Sequence, residues 1–147
     1  MNHPTLEEIN SLKNIKIIKI YSKYDHNFAI SNTNIIYSWG RNWHGELGLG
    51  ELGLGDNNRA QPEEVKFFNG KPKMKEIICG FGFTYFILIN NEIFVCGAND
   101  SVQLGLGNNI ENFYLPEKHK ILENLNIIEL CAGRNHSLAL SSILFIY

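Results

Sequence analysis

The 147-residue chain has little charge: Asp, Glu, Lys and Arg supply 19% of it, the net charge is −2, and residues 1 to 12 contain no Lys or Arg. Without a basic field the chain lacks the phosphate-neutralising term that dominates nucleic-acid affinity, which argues against strong DNA or RNA binding. Long hydrophobic runs are missing too. The most apolar stretch, residues 81 to 89, is far short of the roughly 20 residues that cross a bilayer, so no membrane role is expected and a cytoplasmic or nuclear location is. Cysteine is scarce and odd in number, at 79, 96 and 131, without the paired spacing of zinc or redox sites. All three are expected to be buried free thiols. The Gly-Lys-Ser/Thr tripeptide of a P-loop is absent. His44-Gly45-Glu46 mimics the H-x-E of zinc deaminases, but no P-C-x-x-C follows. No nucleophile, base and orienting group can be assembled, so neither an enzyme, a cofactor nor a metal is expected.

Glycine and leucine, by contrast, are concentrated. Residues 45 to 56 read GELGLGELGLGD, in which Gly48, Gly50 and Gly53 spell G-x-G-x-x-G, the pattern of a dinucleotide-binding loop. That chemistry needs a helix starting at the third glycine, with its N-terminus facing the pyrophosphate. After Gly53 the chain runs through Asp, Asn, Asn and Pro62, which is turn chemistry, and Leu47, Leu49, Leu52 and Leu54 would aim apolar side chains at a charged ligand.

A repeat explains the glycines better. The segment from Lys19 to Ile30 aligns with Glu76 to Ile87 and with Glu129 to Leu140, so that His26, Phe83 and His136 share one position and Ile30, Ile87 and Leu140 another. Downstream, Ile36 to Asn42 matches Ile93 to Asn99, and Glu46-Leu47-Gly48-Leu49-Gly50 matches Gln103-Leu104-Gly105-Leu106-Gly107; Pro62 and Pro116 close the two loops. From His26 to Phe83 is 57 residues and from Phe83 to His136 is 53. The longer unit contains Glu51-Leu52-Gly53-Leu54-Gly55, a second copy of the preceding pentapeptide. It reads as a tandem duplication that bulges as a surface loop, because loops absorb insertions at small entropic cost.

Each unit reads as short strands joined by tight turns, with Ser31-Asn32-Thr33-Asn34 and Asn90-Asn91 as hairpin turns where Asn tolerates positive φ. Units of about 50 residues with several strands and aromatic-glycine punctuation suggest propeller blades. The opening Thr5-Leu6-Glu7-Glu8 alone looks helical, with Thr5 as N-cap and Glu8 completing a capping box.

These motifs resemble the repeat of the regulator of chromosome condensation family: Asp25 to Ile30, Tyr37-Ser38-Trp39-Gly40-Arg41-Asn42, residues 45 to 50, and Gly133-Arg134-Asn135-His136-Ser137-Leu138-Ala139-Leu140. The resemblance implies an all-β chain, a partial β-propeller of roughly two to three four-stranded antiparallel blades. It divides the chain into a lead-in over 1–14 and a repeat region over 15–147, in units of about 15–70, 71–123 and an incomplete 124–147. Family members act as exchange factors for Ran-type GTPases, as regulatory domains of ubiquitin ligases, or as protein-binding scaffolds. Here a non-catalytic binding or scaffold module, a portion of a longer regulator, comes first. An exchange factor and the regulatory propeller of a ubiquitin ligase are the alternatives, and the expected partner is a protein, with a small GTPase among the candidates.

Departures from the pattern are specific: Lys23 stands for glycine, Phe83 for histidine, Cys96 for tryptophan and Val102 for glycine. The third unit runs Ser141-Ser142-Ile143-Leu144-Phe145 where a polar hairpin belongs. Fewer than three units cannot close a seven-bladed ring, and residues 143 to 147 are apolar and uncharged, so self-association or a need for further repeats is expected. His26, Trp39, Gly40, Gly48, Gly50, Gly97, Gly105, Gly107, Gly133 and His136 are read as structural repeat positions. Arg41, Trp43 and His44, in a polar loop, are the candidate partner contacts, with ordinary surface packing as the alternative.

Overall fold

The computed structural model describes residues 7–50, 58–107 and 110–142. The duplicated pentapeptide, the C-terminal segment 143–147 and Thr5 lie outside the described residues.

Alternation and asparagine turns build two four-stranded antiparallel sheets of the same design. The first joins β1 (Ile17–Lys23), β2 (His26–Ser31), β3 (Ile36–Gly40) and β4 (Arg59–Glu64) in that order. The second joins β5 (Met74–Cys79), β6 (Phe83–Leu88), β7 (Ile93–Ala98) and β8 (Asn112–Lys118) in the same order. A third unit contributes β9 (Ile127–Ala132) paired with β10 (Ser137–Ser141). Even the irregularities repeat: Ile18, Lys75 and Ile128 are each skipped in the pairing of first strand to second. Asn34 and Asn91 hold φ of 65° and 64° in the β2–β3 and β6–β7 turns, the conformation that asparagine was expected to supply.

The sheets stack face to face as blades, and the core lies between them. Phe28, Ile30 and Ile36 of blade one meet Phe86, Leu88 and Phe94 of blade two in one apolar cluster; Tyr85, Ile87 and Ile93 meet Leu130, Ala132 and Ala139 of blade three in the next. Blade two is therefore covered on both faces, which is why β6 and β7 are buried at every residue and read as apolar runs. The first strands β1, β5 and β9 lie side by side at the inner edge. Lys19 Nζ donates to the Lys75 carbonyl at 2.8 Å, and Lys23 Nζ reaches the Ala132 carbonyl of blade three.

Two expectations are corrected. Glu7 and Glu8 are not helical; a 3-10 turn forms instead at Asn10–Leu12, where the half-buried Leu12 lines a depression on blade one together with Ile17, Tyr21 and Ala29. A further short helix, α1 (Lys120–Glu123), escaped the sequence pattern and is capped by His119, whose Nδ1 accepts from Leu122 N at 3.2 Å. Cys79 and Cys96 are buried, but Cys131 is exposed, because the register of β9 turns it into the groove beside β1 and β5 instead of between blades.

Candidate partner-binding face

The glycine-leucine loop is a packing device. Leu47 and Leu104 are fully buried, and in each unit the preceding asparagine holds the loop: Leu47 N donates to Asn42 Oδ1 at 3.0 Å and Leu104 N to Asn99 Oδ1 at 3.1 Å. Gly48 and Gly50 adopt φ of 68° and 79°, and a Cβ on Gly50 would lie 2.6 Å from Leu115. Their small size lets the loop of blade one lie against β8 of blade two, with Gly50 N donating to the Tyr114 carbonyl at 3.0 Å. Over its described part, 45–50, the loop turns Leu47 into the core and packs Leu49 against it, which is the opposite of a phosphate cradle; Gly53, Leu52 and Leu54 lie outside the described residues. Gly105 and Gly107 repeat the positive φ in blade two. Gly40 and Gly97, at φ of 106° and 101°, are the last and next-to-last residues of β3 and β7, where a Cβ would stand 2.3 Å from the carbonyl oxygens of Asp25 and Gly82.

Hydrogen bonds then tie blade to blade. Thr84 Oγ1 donates to the Glu46 carbonyl at 2.8 Å and lies 3.0 Å from His26 Nε2. With the single hydroxyl proton committed to a carbonyl, the imidazole must donate through Nε2. Burial lowers the His26 pKa from 6.5 to about 4, with Asp25 raising it and Arg41 lowering it further, so the ring is neutral near pH 7. The next junction repeats the device: Ser137 Oγ donates to the Gln103 carbonyl at 2.7 Å. His136 is exposed, and its ring lies over Gly133, where a Cβ would come within 2.4 Å; Phe83 covers Gly80 in the same way. Trp39 is half-buried on the open face of blade one.

At one end of the blades, loops from all three units converge. Between β3 and β4, the Arg41 guanidinium lies 4.0 Å from the centroid of Trp43 and 4.8 Å from that of Phe81, which sits between β5 and β6. Arg134, between β9 and β10, lies 5.1 Å from the same Phe81 ring, and Tyr24, between β1 and β2, meets it edge-on at 5.2 Å. Arg41 is pinned by two carboxylates, Asp25 at 3.6 Å and the fully buried Glu46 at 3.7 Å. Glu46 stands where the second unit has Gln103, and both side chains accept a loop N–H at 2.8 Å, from His44 and Ser101 respectively. Trp43 and Tyr24 are about half exposed, at 54% and 50%. Arg134 is exposed and, among the described residues, faces no carboxylate.

Of the three residues expected at a contact, Arg41 and Trp43 are brought together. His44 is not: its Nδ1 lies 3.0 Å from Asn112 Oδ1 and its ring rests against Gly82, joining blade one to blade two. Tyr24, Phe81 and Arg134 were missed, although the signal was present. They occupy one position of the aligned repeat, two residues before His26, Phe83 and His136, and equivalent positions on stacked blades become neighbours in space. Among the described residues no cluster of His, Cys, Asp and Glu could hold a metal ion, and no helix is long and apolar enough to cross a membrane.

Blades of this order, stacked around a common inner edge and joined by glycine-leucine loops, define a partial β-propeller. The repeat model of the regulator of chromosome condensation family matches residues 34–87 and 90–140, and the chain belongs to that family. It is 32% identical over 133 residues to the probable E3 ubiquitin-protein ligase HERC4 of Mus musculus, covering 90% of this chain and 12% of that protein. To the ultraviolet-B receptor UVR8 of Arabidopsis thaliana it is 29% identical over 136 residues, covering 92% of this chain and 30% of the receptor. The chain therefore spans less than a third of either relative. Its fold matches Prp20p from Saccharomyces cerevisiae, a protein studied for its binding to Gsp1p and histones, with a TM-score of 0.68 at 21% identity over 86% of this chain and 31% of that one.

Proposed function

We propose that this chain is a non-catalytic protein-binding module, and that its contact face is the convergence of Tyr24, Trp43, Phe81 and Arg134 around the anchored Arg41. The observation that carries the reading is Arg134, an exposed guanidinium on a ring already shared with Arg41, and without a carboxylate among the described residues. Exposed Trp, Tyr and Arg in one patch are the residue types that dominate binding energy at protein interfaces. Arg41 is neutralised by Asp25 and Glu46 and serves to hold the aromatic rings; Arg134 is left for the partner. The ligand chemistry that fits is an acidic segment of another protein, its carboxylate taken by Arg134 and an apolar neighbour resting on Trp43 and Tyr24. The likeness to HERC4 supports placing such a module within a ubiquitin-ligase context, where it would supply contact and leave chemistry to other segments.

An NMR titration tests this directly. The probe is a synthetic peptide of alternating Glu and Leu, compared with the same peptide carrying Gln for Glu. The acidic peptide is expected to shift the Trp43 indole N–H and the backbone amides of residues 81 and 134, and Arg134→Glu is expected to weaken binding tenfold or more. Equal binding of both peptides, or shifts confined to another surface, would overturn the assignment.

A further inference from the structure

We infer that the end of the blades opposite the loop face is a docking surface for anionic lipid headgroups, built by Lys16, Lys66, Lys71 and Lys73 around the exposed Ile89. This stands independently of the loop face described above.

Charge is segregated between the two ends, which the chain total of −2 conceals. Among the described residues the loop end carries Asp25, Glu46, Asp100 and Glu111 against Arg41 and Arg134, a net of −2. The other end consists of the turns over 32–35 and 89–92 and the linkers over 10–16, 65–73 and 119–126. These hold Lys13, Lys16, Lys66, Lys71, Lys73 and Lys120 against Glu92 and Glu123, a net of +4. Both glutamates are already taken, because Lys118 at the end of β8 lies 2.8 Å from Glu92 and 2.9 Å from Glu123. Lys13 is held by Glu8 at 3.3 Å. The other five lysines form no ion pair among the described residues.

The backbone gathers four of them on one surface. Asn32 N donates to the Lys16 carbonyl at 2.8 Å, Asn34 Oδ1 in the same turn accepts from Met74 N at 2.9 Å, and Ile89 N donates to the Lys73 carbonyl at 2.9 Å. Lys66 opens the 3-10 turn Lys66–Phe68, and Lys71 rests on that turn with Nζ 4.5 Å from the Phe67 centroid. Lys16, Lys66 and Lys73 are exposed, and Ile89 is 60% exposed in the β6–β7 turn.

The side-chain chemistry selects the occupant. Lysine is depleted where proteins meet proteins. Lysines around an apolar side chain suit an anionic membrane surface instead, where the ammonium groups meet the headgroups and the apolar group enters the boundary beneath them. Nucleic acid fits less well, since base stacking uses exposed aromatics and base edges are read chiefly by arginine. Among the described residues the exposed aromatics, Tyr24 and Trp43, stand at the loop end, as do Arg41, Arg134 and the start of β4 with Arg59. Such peripheral contact requires no spanning segment.

Vesicle co-sedimentation of the full chain tests the assignment, with phosphatidylcholine vesicles that contain or lack phosphatidylserine. The variants are Lys73→Gln, Ile89→Ser and, as a charge-matched control at the loop end of β1, Lys23→Gln; thermal melts that superpose on the parent verify that each folds. The parent is expected to sediment with the anionic vesicles only. Lys73→Gln is expected to weaken that binding about fivefold, Ile89→Ser to weaken it as well, and Lys23→Gln to leave it unchanged. A parent that stays in solution, a parent that binds neutral vesicles equally, or a control that loses as much as Lys73→Gln would overturn the assignment. So would Lys73-dependent binding of a DNA duplex with the vesicles left bare, which would give this end to nucleic acid.

Discussion

His26 carries the sharpest consequence of burial at a single residue. Its ring is almost completely inaccessible, wedged between Phe28, Thr84 and the loop of Glu46, and its pKa falls from 6.5 to about 4. A base whose pKa is depressed on folding binds protons better when unfolded. Its contribution is therefore complete above pH 6.5 and is lost as the pH falls toward 4. The shift corresponds to at most about 3 kcal/mol. Urea midpoints at pH 7 and pH 4.5 should show His26→Phe losing less stability on acidification than the parent, by up to that amount. The substitution borrows Phe83, which holds the same position in blade two. Equal acid losses in parent and variant would show that some other group titrates. Glu46 is a different kind of buried group, a carboxylate at the glutamine position whose presence only makes sense beside Arg41, and that partnership was not visible in the repeat alignment.

Among elements, the strands and their turns were legible because they carry a period and a residue with special backbone freedom: alternation or apolar runs for β2, β3, β6 and β7, and Asn34 and Asn91 at the turns. The three short helical turns that precede the first strands were not. A helix of three or four residues is too short to show a period, and in two of them one side chain, Phe68 or Leu122, is buried in the core between blades. Phe68 packs against Phe86 at 4.7 Å and Phe94 at 5.8 Å between ring centroids, so Phe68→Ala empties the middle of a junction. Its expected cost is about 3–5 kcal/mol, whereas Leu12→Ala, at a side chain that is only half-buried, should cost roughly 1 kcal/mol. Urea denaturation of the two variants side by side checks the ranking; equal losses would mean that Phe68 does not fill the junction between blades.

For the whole molecule, stability in a stacked repeat is a sum over neighbours, and the blades here are not equally supported. Among the described residues, blade two has a neighbour on each face, blade one shares its core with blade two, and β9 and β10 pack chiefly on blade two. Amide hydrogen exchange should therefore be slowest in β6 and β7, faster in β2 and β3, and fastest in β9 and β10. Uniform protection across the three units would contradict the neighbour-by-neighbour account and indicate one cooperative core.

Read by itself, the sequence determined the repeat, its register and the strand-turn-strand order of each blade, because these depend on local spacing and on the chemistry of Gly and Asn; the burial of Leu47 and Leu104 was found only in the structure. It also contained Tyr24, Phe81 and Arg134 at one repeat position, without indicating that they touch. Only the tertiary structure decided that these three meet on one ring, that Arg41 is clamped between Trp43 and two carboxylates, and that His44 turns away toward Asn112. The physical reason is distance along the chain: Tyr24, Phe81 and Arg134, and likewise His44 and Asn112, lie more than 50 positions apart and meet only when blades stack, while Arg41 and its nearer partners are brought together by the fold of a loop that has no period to read. Stacking is driven by apolar burial between sheets, and the contacts at their ends follow from it.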